Sequence, residues 1–488
     1  MSGADAWLPV AVPLVGMVLI GLCARLPNLR ETVTLLTAAT LFYVIVRMVP
    51  SVLAGARPAV DLFEVIPGLP LAFRVEPLGM LFAVVSSGLW IVNSLYSIGY
   101  MRGNDEAHQT RYYMYFAMAL ASTMGVAFAG NMFTLFLFYE ALTVSTYPLV
   151  THHGTVEAIR AGRTYLGILL STSIGLQLLA ILWTWMLAGT LDFRVGGILA
   201  GRADGPMVGV LLALYVFGIG KAAMMPVHRW LPAAMVAPTP VTALLHAVAV
   251  VKAGVFTVLK VLIYLFGLDL LTKTAEADWL LYAAGTTVII ASLIALNQDN
   301  LKRRLAYSTV SQLSYVILGA AILAPISVVG AALHIAAHAF GKITLFFAAG
   351  SIYTASHKTE VSELDGIGRR MPWTMTAFTI GAFSMIGIPP TVGFLSKWYM
   401  LMGAFERDQF IAAAVIVVST LLNAGYFLPI VYAAFFKAPA DDSVAPHGEA
   451  PFTIVLALLI TAAGTVALFF FPDTLLQLAR QAVGAVRP

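Results

Sequence analysis

Charged residues and cysteine are scarce in this chain of 488 residues. Asp, Glu, Lys and Arg together make up 11% of it, whereas hydrophobic residues make up 60% and the mean hydropathy is +0.89. This composition lies far outside the range of soluble proteins and indicates a polytopic membrane protein. The single cysteine, Cys23, excludes an internal disulfide and a cysteine-based metal site.

Long polar segments are also missing. The largest stretches between apolar runs are short, and they lie at residues 55–72, 190–206, 355–372 and 437–450. They leave no room for a nucleotide-binding or flavin-binding domain, so any redox or ATP-dependent chemistry would belong to partner subunits. We therefore expect no cofactor and no enzymatic centre in this chain, and nothing in it indicates nucleic-acid binding.

Apolar runs long enough to cross a bilayer account for most of the chain. They lie near residues 7–24, 32–54, 73–98, 112–130, 131–150, 163–189, 207–225, 241–268, 279–297, 302–324, 326–354, 373–404, 410–436 and 451–472. These runs predict an all-α polytopic membrane protein with about 14 transmembrane helices. Very short turns are expected at Gly130 and Asn131 and at Pro325.

Charge inside the runs is rare and nearly all of one sign. Away from the ends of the runs, the residues concerned are six bases and one acid: Arg47, Lys221, Lys252, Lys260, Lys342, Lys397 and Glu140. A lysine at the centre of a membrane helix costs about 2.5 to 3.5 kcal/mol, so these positions are functional candidates. Outside the runs, basic residues concentrate in alternate loops. The positive-inside rule then predicts a multi-pass protein with both termini outside the cytoplasm. We expect this protein in the cell's plasma (inner) membrane.

Two of the runs are broken beside a lysine. The first contains Lys221 followed by four prolines up to residue 240, and the second, SMIGIPPTVGFLSKW, contains Lys397. Paired broken helices in successive five-helix blocks are typical of inverted-repeat transporters. We therefore predict a three-helix region over 1–111, one repeat over 112–268 with its break near 221–240, a second over 269–436 with its break near 387–397, and a C-terminal helix over 437–488.

Further titratable residues lie between the two breaks. His334, His338 and Lys342 are spaced four residues apart, which puts them on one helical face and predicts a proton relay. Zinc is the rival ligand for histidines at this spacing, but no cysteine or carboxylate lies near in sequence, so we expect no metal. His246 and Lys252 are six residues apart and should face different neighbours.

Glu140 is the only acid that we place within the membrane. An unpaired carboxylate in hydrocarbon would take up a proton, so it needs a cation. Lys221 is its natural partner, and we predict that the two form an ion pair which can open and close.

Several of these segments resemble a known family. They are GKAAMMPVHRWLPAAMVAPTPVTALLHAV, LKRRLAYSTVSQLSY, HIAAHAFGKITLFFAAGSI and GIPPTVGFLSKW. They are similar to the antiporter-like subunits shared by respiratory complex I, Mrp-type Na⁺/H⁺ antiporters and membrane-bound hydrogenases, over about residues 75–440. The segment from Ser94 to Val150 resembles the D subunit of the Mrp type.

The resemblance implies a function and partners. It implies a proton-translocating subunit of a multi-subunit cation/H⁺ antiporter, with other membrane subunits as partners and protons and Na⁺ as the transported ions. It also implies the fourteen-helix fold, the Glu140 and Lys221 pair, a centre at Lys252 and His334 to Lys342, and a terminal Lys397. The alternative is a proton-pumping subunit of a redox complex, either complex I-like or a membrane-bound hydrogenase. A membrane partner in a non-redox assembly is a third reading.

Overall fold

The chain is helical through almost all of its described length. The computed structural model describes residues 3–438 and 448–484. Within those ranges, the only sheet is an antiparallel hairpin of β1 (Ala59–Ile66) and β2 (Leu69–Arg74). Helices satisfy their own backbone hydrogen bonds, as a bilayer requires. The predicted membrane class is confirmed, and the hairpin is a feature that the sequence analysis did not predict.

Helices of the first half run from the N-terminal region to residue 272. They are α1 (Ala4–Leu22), α2 (Pro27–Val46), α3 (Val49–Leu53), α4 (Pro77–Gly103), α5 (Gln109–Ala127), α6 (Met132–Val150), α7 (Val156–Thr172), α8 (Leu178–Ala188), α9 (Gly205–Gly218), α10 (Trp230–Ala233), α11 (Thr239–Ala243), α12 (Val250–Lys260) and α13 (Leu268–Thr272). Two π-helical turns, Ser173–Gln177 and Leu244–Val248, lie in the longer spans, and a third, Val261–Phe266, follows α12.

Helices of the second half begin at residue 279. They are α14 (Trp279–Leu296), α15 (Leu301–Ala321), α16 (Pro325–Ser356), α17 (Pro372–Ile386), α18 (Val392–Glu406), α19 (Phe410–Phe436), α20 (Phe452–Phe470) and α21 (Asp473–Ala482). Pro325 opens α16 at a position where its missing N–H has no helical partner to lose, which explains the short turn before it.

Ten helical segments of the described residues are long and apolar enough to cross a membrane. The four other predicted runs coincide with shorter, more polar or broken helices, namely α5, α9, α15 and the pair α17 and α18. Each of the fourteen predicted runs therefore corresponds to a helix or a broken helix. The region 437–488 contains two helices, α20 and α21, rather than one. Its residues 439–447 and 485–488 lie outside the described residues.

Both predicted breaks are present. α9 ends at Gly218, and short 3-10 turns carry the chain to α11 at Thr239. α17 ends at Ile386 and α18 begins at Val392, so Lys397 lies inside the second half-helix rather than in the gap. The spans Thr239–Phe266 and Pro325–Ser356 are the most buried of the membrane-length segments. They carry most of the candidate residues, so neighbouring helices shield those charges from lipid.

The β-hairpin marks one face of the molecule. The Arg74 amide donates to the Phe128 carbonyl at 2.7 Å, and Gln481 Nε2 donates to the Leu53 carbonyl at 2.8 Å. Gly3 also lies against β1. We call this side the hairpin face, and we call the side with loops 104–108, 151–155 and 297–300 the opposite face. Both ends of the described chain therefore lie on the hairpin face.

Candidate functional site: a buried line of lysines and histidines

Lys221 lies in the turn that follows α9. The helix ends at Gly218, and Ala223 takes a left-handed conformation with φ of 53°, which directs the chain out of the helical path. α12 packs so closely against this turn that a Cβ on Gly254 would collide with the Lys221 backbone. The break thus holds Lys221 deep in the protein, where it is fully buried.

The Lys221 ammonium is held by neutral groups of α6. Its Nζ donates to the Tyr139 carbonyl at 2.8 Å and to Thr143 Oγ1 at 2.5 Å, and it lies 3.2 Å from the centre of the Tyr139 ring. The Tyr139 hydroxyl in turn accepts from the Lys221 amide at 3.0 Å. A charged lysine at this depth is stabilised by these acceptors and by the ring face.

Glu140 forms no hydrogen bond and no ion pair with Lys221 among the described residues, so the predicted pair is open in this structure. Both carboxylate oxygens are buried, and neither has a hydrogen-bond partner among the described residues. The reason is helical geometry. Tyr139 and Thr143 are one turn apart and face Lys221, whereas Glu140 shares the outward stripe of Leu137 and Val144, which are 40% and 57% exposed.

Lys252 and His338 meet at the centre of the molecule. The Lys252 Nζ lies in hydrogen-bond contact with His338 Nδ1, and both residues are buried. His338 Nε2 has no partner within the described part of the chain. The predicted shared face of α16 brings the His334 and His338 ring centres to 6.2 Å. Lys252 and His338 therefore form the contact that links α12 to α16.

His334 continues this line toward the second break. Its Nδ1 is 2.8 Å from Ser396 Oγ, and its Nε2 is 3.0 Å from Gln312 Oε1. Gln312 Nε2 donates in turn to the Met385 carbonyl at 3.4 Å. Three helices therefore converge on one imidazole, and both of its nitrogens are engaged.

Lys342 starts a second branch instead of contacting His338. Its Nζ donates to Ser308 Oγ at 2.8 Å, and the Tyr426 hydroxyl donates to the same oxygen at 3.0 Å. Tyr426 also bonds Asn423, whose Nδ2 donates to the Met385 carbonyl at 3.2 Å. This branch joins α15, α16 and α19.

Lys397 lies where the two branches meet. The break after Ile386 leaves carbonyl groups without helical partners. The Lys397 Nζ donates to the Met385 carbonyl at 2.8 Å and to the Ile386 carbonyl at 3.0 Å. Gly387, with φ of 93°, makes the turn that exposes these oxygens. The Met385 carbonyl thus accepts hydrogen bonds from Lys397, Gln312 and Asn423.

His246 lies apart from Lys252, as the six-residue spacing predicts. It belongs to the π-helical turn Leu244–Val248, and its ring packs against Phe346 with centres 4.7 Å apart and ring planes at 51°. Neither ring nitrogen finds a partner in the described ranges, although the residue is fully buried. π-helical turns inside α-helices often mark functional positions.

Sequence reasoning missed several polar partners of these residues. Gln312, Ser308, Asn423 and Tyr426 are polar side chains in apolar runs, and that placement was the available signal. It also counted Lys260 as a lone intramembrane cation. Lys260 Nζ lies 2.7 Å from Glu76 Oε1 and donates to the Ala129 carbonyl at 2.9 Å, so this lysine is ion-paired near the hairpin face. Arg47 pairs with Asp5 at 2.5 Å.

These features define a class of protein. Buried titratable groups arranged between two broken helices within a membrane-spanning bundle are the architecture of a secondary ion transporter. Residues 129–423 match the family model described as NADH:quinone oxidoreductase/Mrp antiporter, TM. The chain belongs to this family, and it is a membrane subunit of its proton-translocating, antiporter-like type. The resemblance seen in the sequence is confirmed.

Two curated relatives and one solved structure illustrate the similarity. The N subunit of the NADH-quinone oxidoreductase of Desulforudis audaxviator is 32% identical over 83% of this chain and 82% of its own length. The D subunit of the Na(+)/H(+) antiporter of Alkalihalophilus pseudofirmus is 28% identical over 68% of this chain and 67% of its own. A protein of the Mrp complex from a Dietzia species superimposes with a TM-score of 0.88 at 24% identity, covering 99% of this chain and 97% of that one.

Proposed function

We propose that this chain conducts protons through the membrane as one subunit of a multi-subunit Na⁺/H⁺ antiporter of the Mrp type. The observation that carries the proposal is the contact between Lys252 and His338, which joins two buried titratable groups on different helices. A lysine against an imidazole can exchange a proton with it.

The path would run from His246 and Lys252 to Lys397. A proton on Lys252 passes to His338, then to His334 across a ring separation of 6.2 Å that one water can bridge. The Gln312 amide and Ser396 hydroxyl orient His334 toward the second break. Lys342, Ser308, Tyr426 and Asn423 form a parallel route to the same carbonyl. Lys397 is the terminal donor or acceptor.

Glu140 and Lys221 would set the proton affinity of Lys252 as a switchable pair. In this structure the pair is open, because Lys221 is bound to Tyr139 and Thr143. Closing it moves the ammonium to Glu140 and away from Lys252. Two unit charges about 6 Å apart interact by roughly 2.8 kcal/mol at an effective dielectric constant of about 20. A swing of Lys221 therefore suffices to favour or oppose a proton on Lys252.

Four further features belong to the proposal. The chain would have no redox or hydrolytic centre of its own. It would reside in the plasma membrane, with the hairpin face and both termini outside the cytoplasm. Residues 112–268 and 269–436 would be inverted repeats, which is supported because α5 starts on the opposite face and α14 on the hairpin face. Na⁺ would be selected elsewhere in the complex, since the candidate residues offer few oxygen ligands.

A proton-pumping subunit of a redox complex is the second candidate. The 32% identity to a quinone oxidoreductase subunit favours it. Both candidates use the same buried path, and they differ in what drives it.

Co-purification and ion flux together test the proposal. The tagged chain should purify with other antiporter subunits, and vesicles that hold the complete complex should exchange Na⁺ for H⁺. Co-purifying iron–sulfur or flavin subunits would instead establish the redox alternative. The isolated chain in vesicles should not exchange Na⁺, and if it did, selection of the cation by partner subunits would be refuted.

A further inference from the structure

A cavity of about 240 Å³ opens on the opposite face, away from the residues considered so far. Glu106, His153 and Lys302 lie at its rim, and Thr239 and Ala349 line its buried end. The volume is large enough for several water molecules. It lies between the end of α4, the loop after α6, and the starts of α11 and α15 beside the end of α16.

Glu106, in loop 104–108 at the rim, lies close to both histidines of loop 151–155. Its Oε1 lies 3.3 Å from His153 Nε2, and its Oε2 lies 3.6 Å from His152 Nε2. The carboxylate is mostly buried, with 11% of the side chain exposed, whereas His153 is 38% exposed and faces water. Arg111 Nη2 donates to the His152 carbonyl at 3.0 Å and fixes this loop on α5.

The two imidazoles differ in proton affinity. The hydrogen bond to Glu106 raises the pKa of His153, because the carboxylate favours a proton on the imidazole beside it. Burial lowers the pKa of His152 to about 4, which leaves that ring neutral near pH 7 and rules out an ion pair despite its distance to Glu106.

Other charged and titratable groups face this cluster from the neighbouring elements. They are Arg111 on α5, Lys302 on α15, Lys358 after α16, and the tyrosines Tyr100, Tyr112 and Tyr353. The positive charges of Lys302 and Arg111 act against protonation of His153 and His152 respectively. The site is therefore balanced between a carboxylate that favours the proton and cations that oppose it.

Residues at the buried end of the cavity lie on the same two spans as His246 and its neighbour Phe346. Thr239 and His246 lie in the same span, seven residues apart, which is about 10 Å along a helix. Ala349 and Phe346 lie one turn apart on α16, and Phe346 packs against the His246 ring. Both nitrogens of this buried imidazole lack a partner among the residues that the structure describes.

We infer that Glu106 and His153 form a proton-loading site that takes protons from water at the opposite face and supplies His246. A proton from the bulk binds the His153 imidazole, held by Glu106, and then leaves to water in the cavity, which donates it to a free nitrogen of His246. The proton leaves an N–H bond of His153, passes through O–H bonds of the cavity water and forms an N–H bond on His246, so the step balances. This inference rests on the proposed function and specifies where its protons enter.

Glu106→Gln and the matched control Glu157→Gln test the inference in vesicles that contain the complete complex. Glu157 lines the adjoining surface opening and undergoes the same change of charge. Proton uptake in Glu106→Gln should fall several-fold, most strongly at alkaline pH where free protons are scarce. A high concentration of a small mobile buffer such as imidazole should restore it. Equal rates in the two variants, or a loss that buffer does not restore, would overturn the loading site.

Histidine-selective NMR of the purified complex gives a readout that needs no transport. His153, assigned from a His153→Asn sample, should titrate above the ordinary histidine value of about 6.5 and move down toward it in Glu106→Gln. An unchanged titration would overturn the inference. The Lys252→Met variant tests the inner path. If flux is lost in Lys252→Met but unaffected in Glu106→Gln, the loading site alone is refuted. No proton flux in any sample, with the titration intact, would refute the proposed function.

Discussion

Among single residues, Met385 is the position at which two polar branches meet, although its own side chain has no polar role. Its carbonyl oxygen accepts from Lys397, Gln312 and Asn423 because the helix ends one residue later. A proton that reaches either branch therefore arrives next to the same ammonium.

Replacing Lys397 with Met should leave the fold intact and lower proton flux by about 10²-fold or more, the range expected when a positioned proton-transfer group is removed. Gln312 and Asn423 still satisfy the Met385 carbonyl, so the stability cost should stay within about 1 to 3 kcal/mol for the one freed acceptor. Flux in vesicles and thermal unfolding of the complex measure the two effects. Wild-type flux in an assembled variant would leave Lys397 with a purely structural role.

Glu140→Gln should assemble normally, because the carboxylate oxygens have no partner to lose in this structure. Na⁺-dependent proton flux should nevertheless be abolished, since Lys221 then has no carboxylate to approach. Glu140→Asp should weaken coupling through its shorter reach. Near-normal coupling in Glu140→Gln would remove the switch from the mechanism.

The histidines should carry protons without binding metal. Both His334 nitrogens are already engaged by Ser396 and Gln312, and His338 Nδ1 faces Lys252. Chelators should therefore leave flux unchanged, and metal analysis of the complex should show no zinc that depends on these rings. Stoichiometric zinc that disappears in a His334 and His338 double variant would contradict this account.

At the scale of elements, helix packing around the breaks determines where the charges lie. A Cβ on Gly254 would collide with the turn that holds Lys221, whereas Gly167 in α7 faces open space. Gly254→Ala should destabilise the complex by about 1 to 3 kcal/mol, as overpacking does, and should also reduce flux. Gly167→Ala is the matched control and should change neither. Equal unfolding temperatures for the two variants would show that the close approach is unimportant.

The breaks and the helices were predictable because hydrophobicity and proline leave local signals. Lys221, Lys252, His334 and Lys397 were found for the same reason, since charge in an apolar run is visible without a structure. The hydrogen-bond partners of these residues could not be predicted from the sequence. Whether Lys221 faces Glu140 or Tyr139 depends on the rotation of α6 by one residue, which only packing fixes.

Other misses have the same origin. The hairpin was missed because β1 is exposed along almost its whole length and lacks the alternation of buried and exposed residues that indicates a strand. Glu76 lies near the start of the run predicted over 73–98 and was not counted among the charges within the membrane, yet it neutralises Lys260. Asn423 and Tyr426 join the second branch only because α19 packs near α15 and α16.

At the scale of the whole molecule, the burial of the central groups and the positions of the two broken helices matter more than any single contact. The two most buried spans carry the central groups, and the broken helices carry Lys221 and Lys397 at either end. Because the titratable residues of this line are lysines and histidines with a single carboxylate, we expect partner subunits to select Na⁺ and coupling to be a property of the assembly.

Proton flux in Lys252→Met, measured in vesicles that contain the complete complex, tests the central claim most directly. Lys273→Met removes an exposed lysine of a loop on the hairpin face and is the matched control. We predict that Na⁺-driven proton flux is abolished in Lys252→Met and unchanged in Lys273→Met, with equal amounts of assembled complex. Flux in Lys252→Met equal to that of the control would contradict a proton path through Lys252 and His338.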